Sequence, residues 1–155
     1  PDPQQKHRIV SGWHSIQAAW MSMEEALRRN HPRMFREALT MGRRTMEKCW
    51  VDGKRFSGLI SLEDPEQRPV EPTTLAGIPS GALDDALIFG LMDVEHTGES
   101  WGQDWYNKAF TTGYQLKHWR RRCLLHHPRR LFLTIEILDR LITRGGRVSG
   151  FLAKA

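Results

Sequence analysis

Residues 117–130, KHWRRRCLLHHPRR, form the densest group of side chains that could bind or react. They include five arginines, one lysine and three histidines around one tryptophan and one cysteine. Arginine presents a planar fork of donors that fits a phosphate, and aromatic rings can stack on nucleobases. The segment therefore predicts an anionic partner, with nucleic acid ahead of an acidic protein surface or a membrane. A solvated row of cations that complements the dipole at a helix C-terminus is the remaining alternative.

A second group of arginines surrounds the corner between the first two predicted helices. If both groups share one face, their footprint would suit a nucleic-acid backbone. No recognition helix with base-reading Asn or Gln stands out, so the contacts would be mainly to phosphates, with RNA slightly favoured over DNA. The residues predicted to bind nucleic acid or another anion are Lys117, His118, Arg120, Arg121, Arg122, Arg129, Arg130, Arg28, Arg29, Arg33 and Arg36.

The first segment also offers donors of the kind that bind zinc. A structural zinc site uses four ligands in two spaced pairs, and here the second pair is missing, because Cys49 and His31 are only distant candidates. Cys123 also continues an apolar helical stripe, which favours a buried thiol. We therefore predict no metal and no other cofactor. If metal were present, its first ligands would be His118, Cys123, His126 and His127.

Catalytic motifs are missing from the sequence. No serine lies in a G-x-S-x-G setting, and the glycine-rich stretch TRGGRVSG follows a helix instead of preceding one. It predicts a helix stop followed by a flexible tail. The adjacent acids Asp84 and Asp85 diverge by about 100° on a helix and cannot easily share a substrate. The chain is therefore predicted not to be an enzyme.

Charge is strongly segregated along the chain. Residues 1–62, 63–104 and 105–155 carry balances of +5, −9 and +9, which together give the net charge of +5. No acid lies between Asp104 and Glu136. This distribution predicts a strong basic face and a separate acidic one.

The composition is that of a soluble globular chain, with 39% apolar and 26% charged residues. No apolar run approaches the roughly 18 residues of a transmembrane helix, and no charged-then-apolar leader marks secretion. The two cysteines fit a reducing compartment better than a disulfide framework, although a Cys49–Cys123 bridge stays open. We therefore expect an intracellular protein, in the cytoplasm or the nucleus.

Apolar spacing predicts an all-α, single domain of about five helices. The first helix begins near Ser11 and turns Trp13, Ile16, Trp20, Met23 and Leu27 to one side. The second follows Pro32, the third begins at Ser80, and the fourth begins at Ser100. Residues 1–8 are predicted to be a flexible arm, 9–145 the helical domain and 146–155 a C-terminal tail. An acidic, proline-rich loop at 63–80 joins helices two and three.

The last helix is predicted from Pro128 to the RGG stretch, with Gly145 as its cap. Its apolar residues leave little polar face, so the helix is either central in the core or covered by a partner. One domain of this size seldom encloses both sides, so we predict a homo-oligomer. Its interface would use Leu133, Ile137 and Leu141, and Ile137→Asp would dissociate it without loss of helix.

Two function classes follow. The first is a non-enzymatic nucleic-acid-binding protein that contacts phosphates through a basic helical face. The second is an oligomeric interaction or scaffold protein, similar in size to viral matrix-like or host-factor-binding proteins, whose acidic and basic segments meet between copies. The predicted partners are nucleic acid or an acidic protein surface.

Overall fold

The computed structural model describes residues 9–52, 57–59, 61–63, 68–69, 80–115 and 126–154. Five α-helices lie within these described ranges, so the predicted all-α, single-domain fold is confirmed. The predicted arm at 1–8 lies outside the described residues. The helices are α1 (Gly12–Arg28), α2 (Pro32–Cys49), α3 (Ser80–Thr97), α4 (Ser100–Gln115) and α5 (His126–Thr143).

The first two helices form an antiparallel pair with side-chain caps at both starts. The Ser11 side chain accepts a hydrogen bond from the backbone N–H of His14, which satisfies one of the unpaired donors of α1. His31 does the same for Met34 at the start of α2, and Pro32 fills the first helical position. The predicted inward stripe of α1 is confirmed, since Ile16, Trp20 and Met23 are buried and Trp13 and Leu27 pack against the core. The buried side of α2 carries Phe35, Leu39, Met46 and Cys49.

Short strands lie between α2 and α3. They are β2 (Trp50–Asp52), β3 (Ser57–Leu59), β4 (Ser61–Glu63) and β5 (Arg68–Pro69), and β1 (Ile9–Ser11) precedes α1. β1, β4 and β5 form one antiparallel sheet, and β2 pairs with β3 in another. Most of the predicted loop at 63–80 lies outside the described residues.

The central helix is α3, which contacts α1, α2, α4 and α5. Every residue from 82 to 93 is buried, because other helices pack against several sides of α3 and enclose its acids together with its apolar side chains. Gly42 of α2 gives room to the Phe89 ring, which occupies the place where a Cβ would stand. We predicted that α5 was the helix apolar almost all round, and α3 is the one that the other helices enclose.

Helix α5 ends where the sequence predicted, at the RGG stretch with Gly145 as its cap. Gly145 and Gly146 have φ values of 61° and 75°, and their N–H groups donate to the carbonyls of Ile142 and Leu141 at 2.8 Å. The prediction of a flexible tail after it is wrong. Phe151 is buried against Phe35, and Ser149 N–H donates to the carbonyl of Glu95 at 3.0 Å, so the tail packs on the core.

Candidate functional site

Asp85 of α3 lies at the centre of a buried polar cluster. The indole Nε1 atoms of Trp13 and Trp20 donate to its two carboxylate oxygens at 3.0 and 2.9 Å. Arg129 of α5 donates from Nη2 to Oδ1 at 2.9 Å, and its guanidinium lies 5.0 Å from the centroid of the Trp20 ring. A buried charge needs such partners to offset its lost hydration.

Asp84, the neighbour of Asp85 on α3, is also buried and pairs with a different arginine. Arg130 Nε lies 2.8 Å from Asp84 Oδ1, and the Arg130 side chain is itself buried. We predicted Arg129 and Arg130 as binding residues for nucleic acid. That assignment is wrong for Arg130, which has almost no exposed surface to offer a phosphate. The Arg129 side chain is 31% exposed and its guanidinium is bound to the buried Asp85, so the contacts do not favour it as a binding residue.

The C-terminal half of α3 repeats this arrangement at Glu95. Arg140 donates to both carboxylate oxygens, at 2.7 and 2.8 Å, and Arg144 pairs with Oε1. Burial alone would raise the pKa of Glu95, but hydrogen bonds from Arg140 and His96 outweigh it and lower the pKa to about 2. Glu95 is therefore held as a carboxylate in the folded protein.

A fourth buried acid of α3, Asp93, receives two hydrogen bonds from Arg43 of α2, both at 2.7 Å. Arg43 also pairs with Glu99 at 2.8 Å and lies over the Trp101 ring, 5.1 Å from its centroid. Hydrogen bonding to Asp93 raises the pKa of Arg43. Asp93 and its arginine thus connect α2, α3 and the start of α4.

The burial of these four acids changes how the segregation of charge along the chain is interpreted. Much of the acidic segment faces inward on α3, and arginines of the two basic segments neutralise it within one chain. The prediction of a separate acidic face is therefore wrong for the acids of α3, which are buried. A sequence signal for this burial exists, because the acids interrupt the apolar run ALDDALIFGLMDVE without the regular polar face of a surface helix.

The arginines at the α1–α2 corner remain at the surface. The side chains of Arg28, Arg29 and Arg33 are 60% to 81% exposed and pair with Glu25 or Glu37 of their own helices. Arg36 is exposed and donates to the carbonyl of Leu152 at 3.5 Å. The other predicted binding residues, which are Lys117, His118, Arg120, Arg121 and Arg122, lie outside the described residues.

A serine and a histidine meet where the tail packs on α3. Ser149 Oγ lies 2.5 Å from His96 Nδ1 and accepts a hydrogen bond from the Phe151 N–H. The His96 ring is buried between Phe35 and Phe151, and the neighbouring Glu95 is held by two arginines. With the histidine enclosed by aromatic rings, this contact fastens the tail to the core.

The two apolar sides of α5 have different surroundings. Ile137 is fully buried, and Leu133 and Leu141 pack against the core, so the side that we assigned to an interface between copies faces this chain's own core. That assignment is wrong, and Ile137→Asp would place a charge in the core. The opposite side is exposed, from 40% at Leu138 to 76% at Ile142. This α5 stripe consists of Leu131, Phe132, Ile135, Leu138 and Ile142.

Metal ligands do not converge in the part of the chain that the structure describes, where no group of three or more His, Cys, Asp or Glu residues could hold an ion. Cys49 is buried and carries a free thiol, and burial raises its pKa. Cys123 and His118, which a zinc site in the 117–130 segment would require, lie outside the described residues.

Comparisons with protein-family models, with curated proteins and with solved structures give no match for this chain.

Within the described ranges, no helix combines the length and the apolar character that crossing a membrane requires.

Proposed function

We propose that this protein is a non-enzymatic interaction module that binds a protein partner through the α5 stripe. The observation that supports the proposal is the exposure of five large apolar side chains on one side of a single helix. Side chains of this size at these exposures present apolar surface on the order of 500 Å². Contiguous patches of that size on soluble proteins usually mark binding sites.

The rest of α5 explains why the stripe stays exposed within one chain. Arg129, Arg130, Arg140 and Arg144 pair with the buried acids of α3, and Ile137 fills the core between them. These contacts fix the rotation of α5 about its own axis. The helix cannot turn its exposed side inward without breaking several buried ion pairs, each of which would leave a costly unpaired charge.

A site-specific crosslinker tests the proposal directly. A photoreactive amino acid in place of Ile135 should give a covalent adduct with a protein in cells that express the chain. The matched control replaces Met21, an exposed apolar residue of α1 outside the stripe, and should give little adduct. Equal yields from both positions, or no protein adduct from position 135, would remove the α5 stripe as a binding surface.

A second candidate function, nucleic-acid binding, is favoured by the exposed arginines at the α1–α2 corner. Their partners Glu25 and Glu37 form solvent-exposed ion pairs with them, and water and salt screen such pairs so that they contribute little to stability. A phosphate could therefore compete for these guanidiniums at small cost. The residues proposed to contact phosphates are Arg28, Arg29, Arg33 and Arg36, together with the predicted residues at 117–122. Arg129 and Arg130 are not among them, because they pair with buried acids.

Salt-dependent binding to a labelled single-stranded RNA tests this second function. The slope of log affinity against log salt should be about −0.7 per phosphate contact. Arg121→Glu with Arg122→Glu, and separately Arg29→Glu with Arg33→Glu, should weaken binding to all sequences alike, because backbone contacts carry no base information. The control Glu37→Gln should not weaken it. Unchanged affinity in both double variants with intact folding would leave only the interaction function.

Both functions are proposed for an intracellular protein, in the cytoplasm or the nucleus. The buried free thiol of Cys49 supports a reducing compartment.

A further inference from the structure

We infer that the occupant of the α5 stripe is a second copy of this chain, whose own α5 runs parallel to the first in a two-stranded coiled-coil seam. This inference rests on the proposed interaction function and names its partner. It is carried by the spacing and the types of the exposed residues, and by the side chains at the positions beside them.

The exposed residues follow a heptad pattern. Leu131, Ile135, Leu138 and Ile142 are separated by four, three and four residues, which keeps them on one seam of a supercoiled helix pair. Leucine occupies both d positions, 131 and 138, and isoleucine occupies both a positions, 135 and 142. Beta-branched residues at a with leucine at d favour parallel pairs over larger assemblies, because each fits the packing geometry of its layer.

The residues beside the seam favour the parallel direction. Phe132 and Asp139 occupy e positions, and Thr134 and Leu141 occupy g positions. In a parallel pair, g of one helix meets the following e of its partner, so Asp139 approaches Thr134 of the other copy, whose hydroxyl is buried within its own chain, and the ring of Phe132 stays away from the partner's Asp139. In an antiparallel pair, e meets e, and the apolar ring of Phe132 would lie against the carboxylate of the partner's Asp139.

The position of α5 in the fold permits such a pair. Ile137, which is buried in the core, lies on the side of the helix away from Ile135 and Ile142. Each domain body therefore lies outside the seam, and two copies can approach along their α5 helices. The pattern covers less than two heptads, from Leu131 to Ile142, so the bodies remain attached through a short contact.

The area of the α5 stripe indicates how strongly two copies should associate. Two stripes would bury on the order of 1,000 Å², which is at the low end for specific complexes. Interfaces of this size give weak or transient association, with dissociation constants of about micromolar or weaker. The dimer is therefore expected to depend on protein concentration and to be sensitive to a single charge in the seam.

Sedimentation equilibrium tests whether the occupant is a second copy. The wild-type mass should double from the low to the high micromolar range. Ile135→Asp and, separately, Ile142→Asp should each weaken the association at least tenfold, because both side chains are exposed in one copy and the fold does not need them. Met21→Asp, the matched control, should leave the association unchanged, and circular dichroism should show unchanged helix in all variants. A monomer at every concentration would overturn the inference.

Disulfide trapping tests the direction of the seam. In a Cys123→Ser background, Ile135→Cys alone should form a linked dimer on mild oxidation, because a positions face each other in a parallel pair. An equimolar mixture of Leu131→Cys and Ile142→Cys should give few mixed dimers. Preferential linkage in that mixture would overturn the parallel arrangement.

The two proposals fail separately. If the crosslinker at position 135 captures a different protein while the chain stays monomeric, the second copy is overturned and the interaction function stands. If there is neither adduct nor dimer, both are overturned.

Discussion

Arg140 of α5 forms a bidentate ion pair with Glu95 of α3, with Nε 2.7 Å from Oε1 and Nη2 2.8 Å from Oε2. Glu95 is almost fully buried, whereas the Arg140 side chain is 40% exposed. The two ends of this contact are therefore unequal. The arginine can return to water if its partner is lost, but the carboxylate cannot.

Arg140→Leu should lower the free energy of unfolding by about 2 kcal/mol, because Glu95 would remain buried with only Arg144 and His96 to offset its lost hydration. Urea denaturation followed by circular dichroism measures the change. Arg44→Leu, which removes an exposed arginine of α2, is the matched control and should change stability by less than about 0.5 kcal/mol. Equal effects from the two variants would mean that the Glu95 pair does not stabilise the fold.

Low pH should lower the free energy of unfolding through protonation of Glu95. Because the pKa of Glu95 is about 2 in the folded protein and near 4.5 in the unfolded chain, its contribution is present above pH 4.5 and is lost as the pH falls towards about 2. Urea denaturation at steps from pH 5 to pH 2 should show this loss. Glu95→Gln should be less stable at pH 5 and show a shallower decline. Parallel curves for the two proteins would contradict the assignment.

Ionisation of Glu24 of α1 should change stability with pH in the opposite direction. Burial raises the pKa of its carboxyl above 4.5, and Arg140 opposes this only in part. A raised pKa means that the folded protein binds the proton more tightly, so stability is greatest below pH 4.5 and is lost as the pH rises through the folded value. Glu24→Gln should therefore be more stable than the wild type at pH 7, with the difference disappearing near pH 3.5. A less stable variant at pH 7 would show that Glu24 stabilises the fold as a carboxylate.

The sequence predicted the helices well because their signals are local. Ser11, Pro32 and Gly145 mark helix ends through their own backbone or side-chain chemistry, and the inward stripes of α1 and α2 follow helical periodicity. Burial of a charge is not local in the same way. Arg130 has the same sequence character as a surface cation, and only its approach to Asp84, 46 positions away along the chain, determines that it lies inside.

The two sides of α5 show the same limit of prediction from local sequence signals. Periodicity separated Ile137 from Ile135 correctly but could not decide which of them faced the core. That choice depends on which side carries the arginines that reach α3, and the answer requires the position of α3. The side of α5 that we assigned to an interface is therefore the side that packs on the core.

Gly42→Ala tests how tightly α2 packs on α3. Alanine favours the helix over glycine by about 1 kcal/mol, but the new Cβ would stand 2.1 Å from an atom of the Phe89 ring. Overpacking of this kind costs about 1–3 kcal/mol, so the net effect in urea denaturation should be destabilising. In a Phe89→Leu background the same substitution should be neutral or stabilising. A loss of stability of the same size in both backgrounds would contradict the steric cause.

Cys49 should be protected from thiol reagents in the folded protein. Its side chain is buried, and burial raises the pKa of the thiol, so both access and the reactive thiolate are reduced. In a Cys123→Ser background, a bulky disulfide reagent should modify native Cys49 at least about a thousandfold more slowly than in denaturant, because reaction requires opening of the core. Ala18→Cys, on the exposed side of α1, is the control that should react rapidly in the native protein. If native Cys49 reacted at the rate of that control, α2 would have to open locally where the helix meets β2.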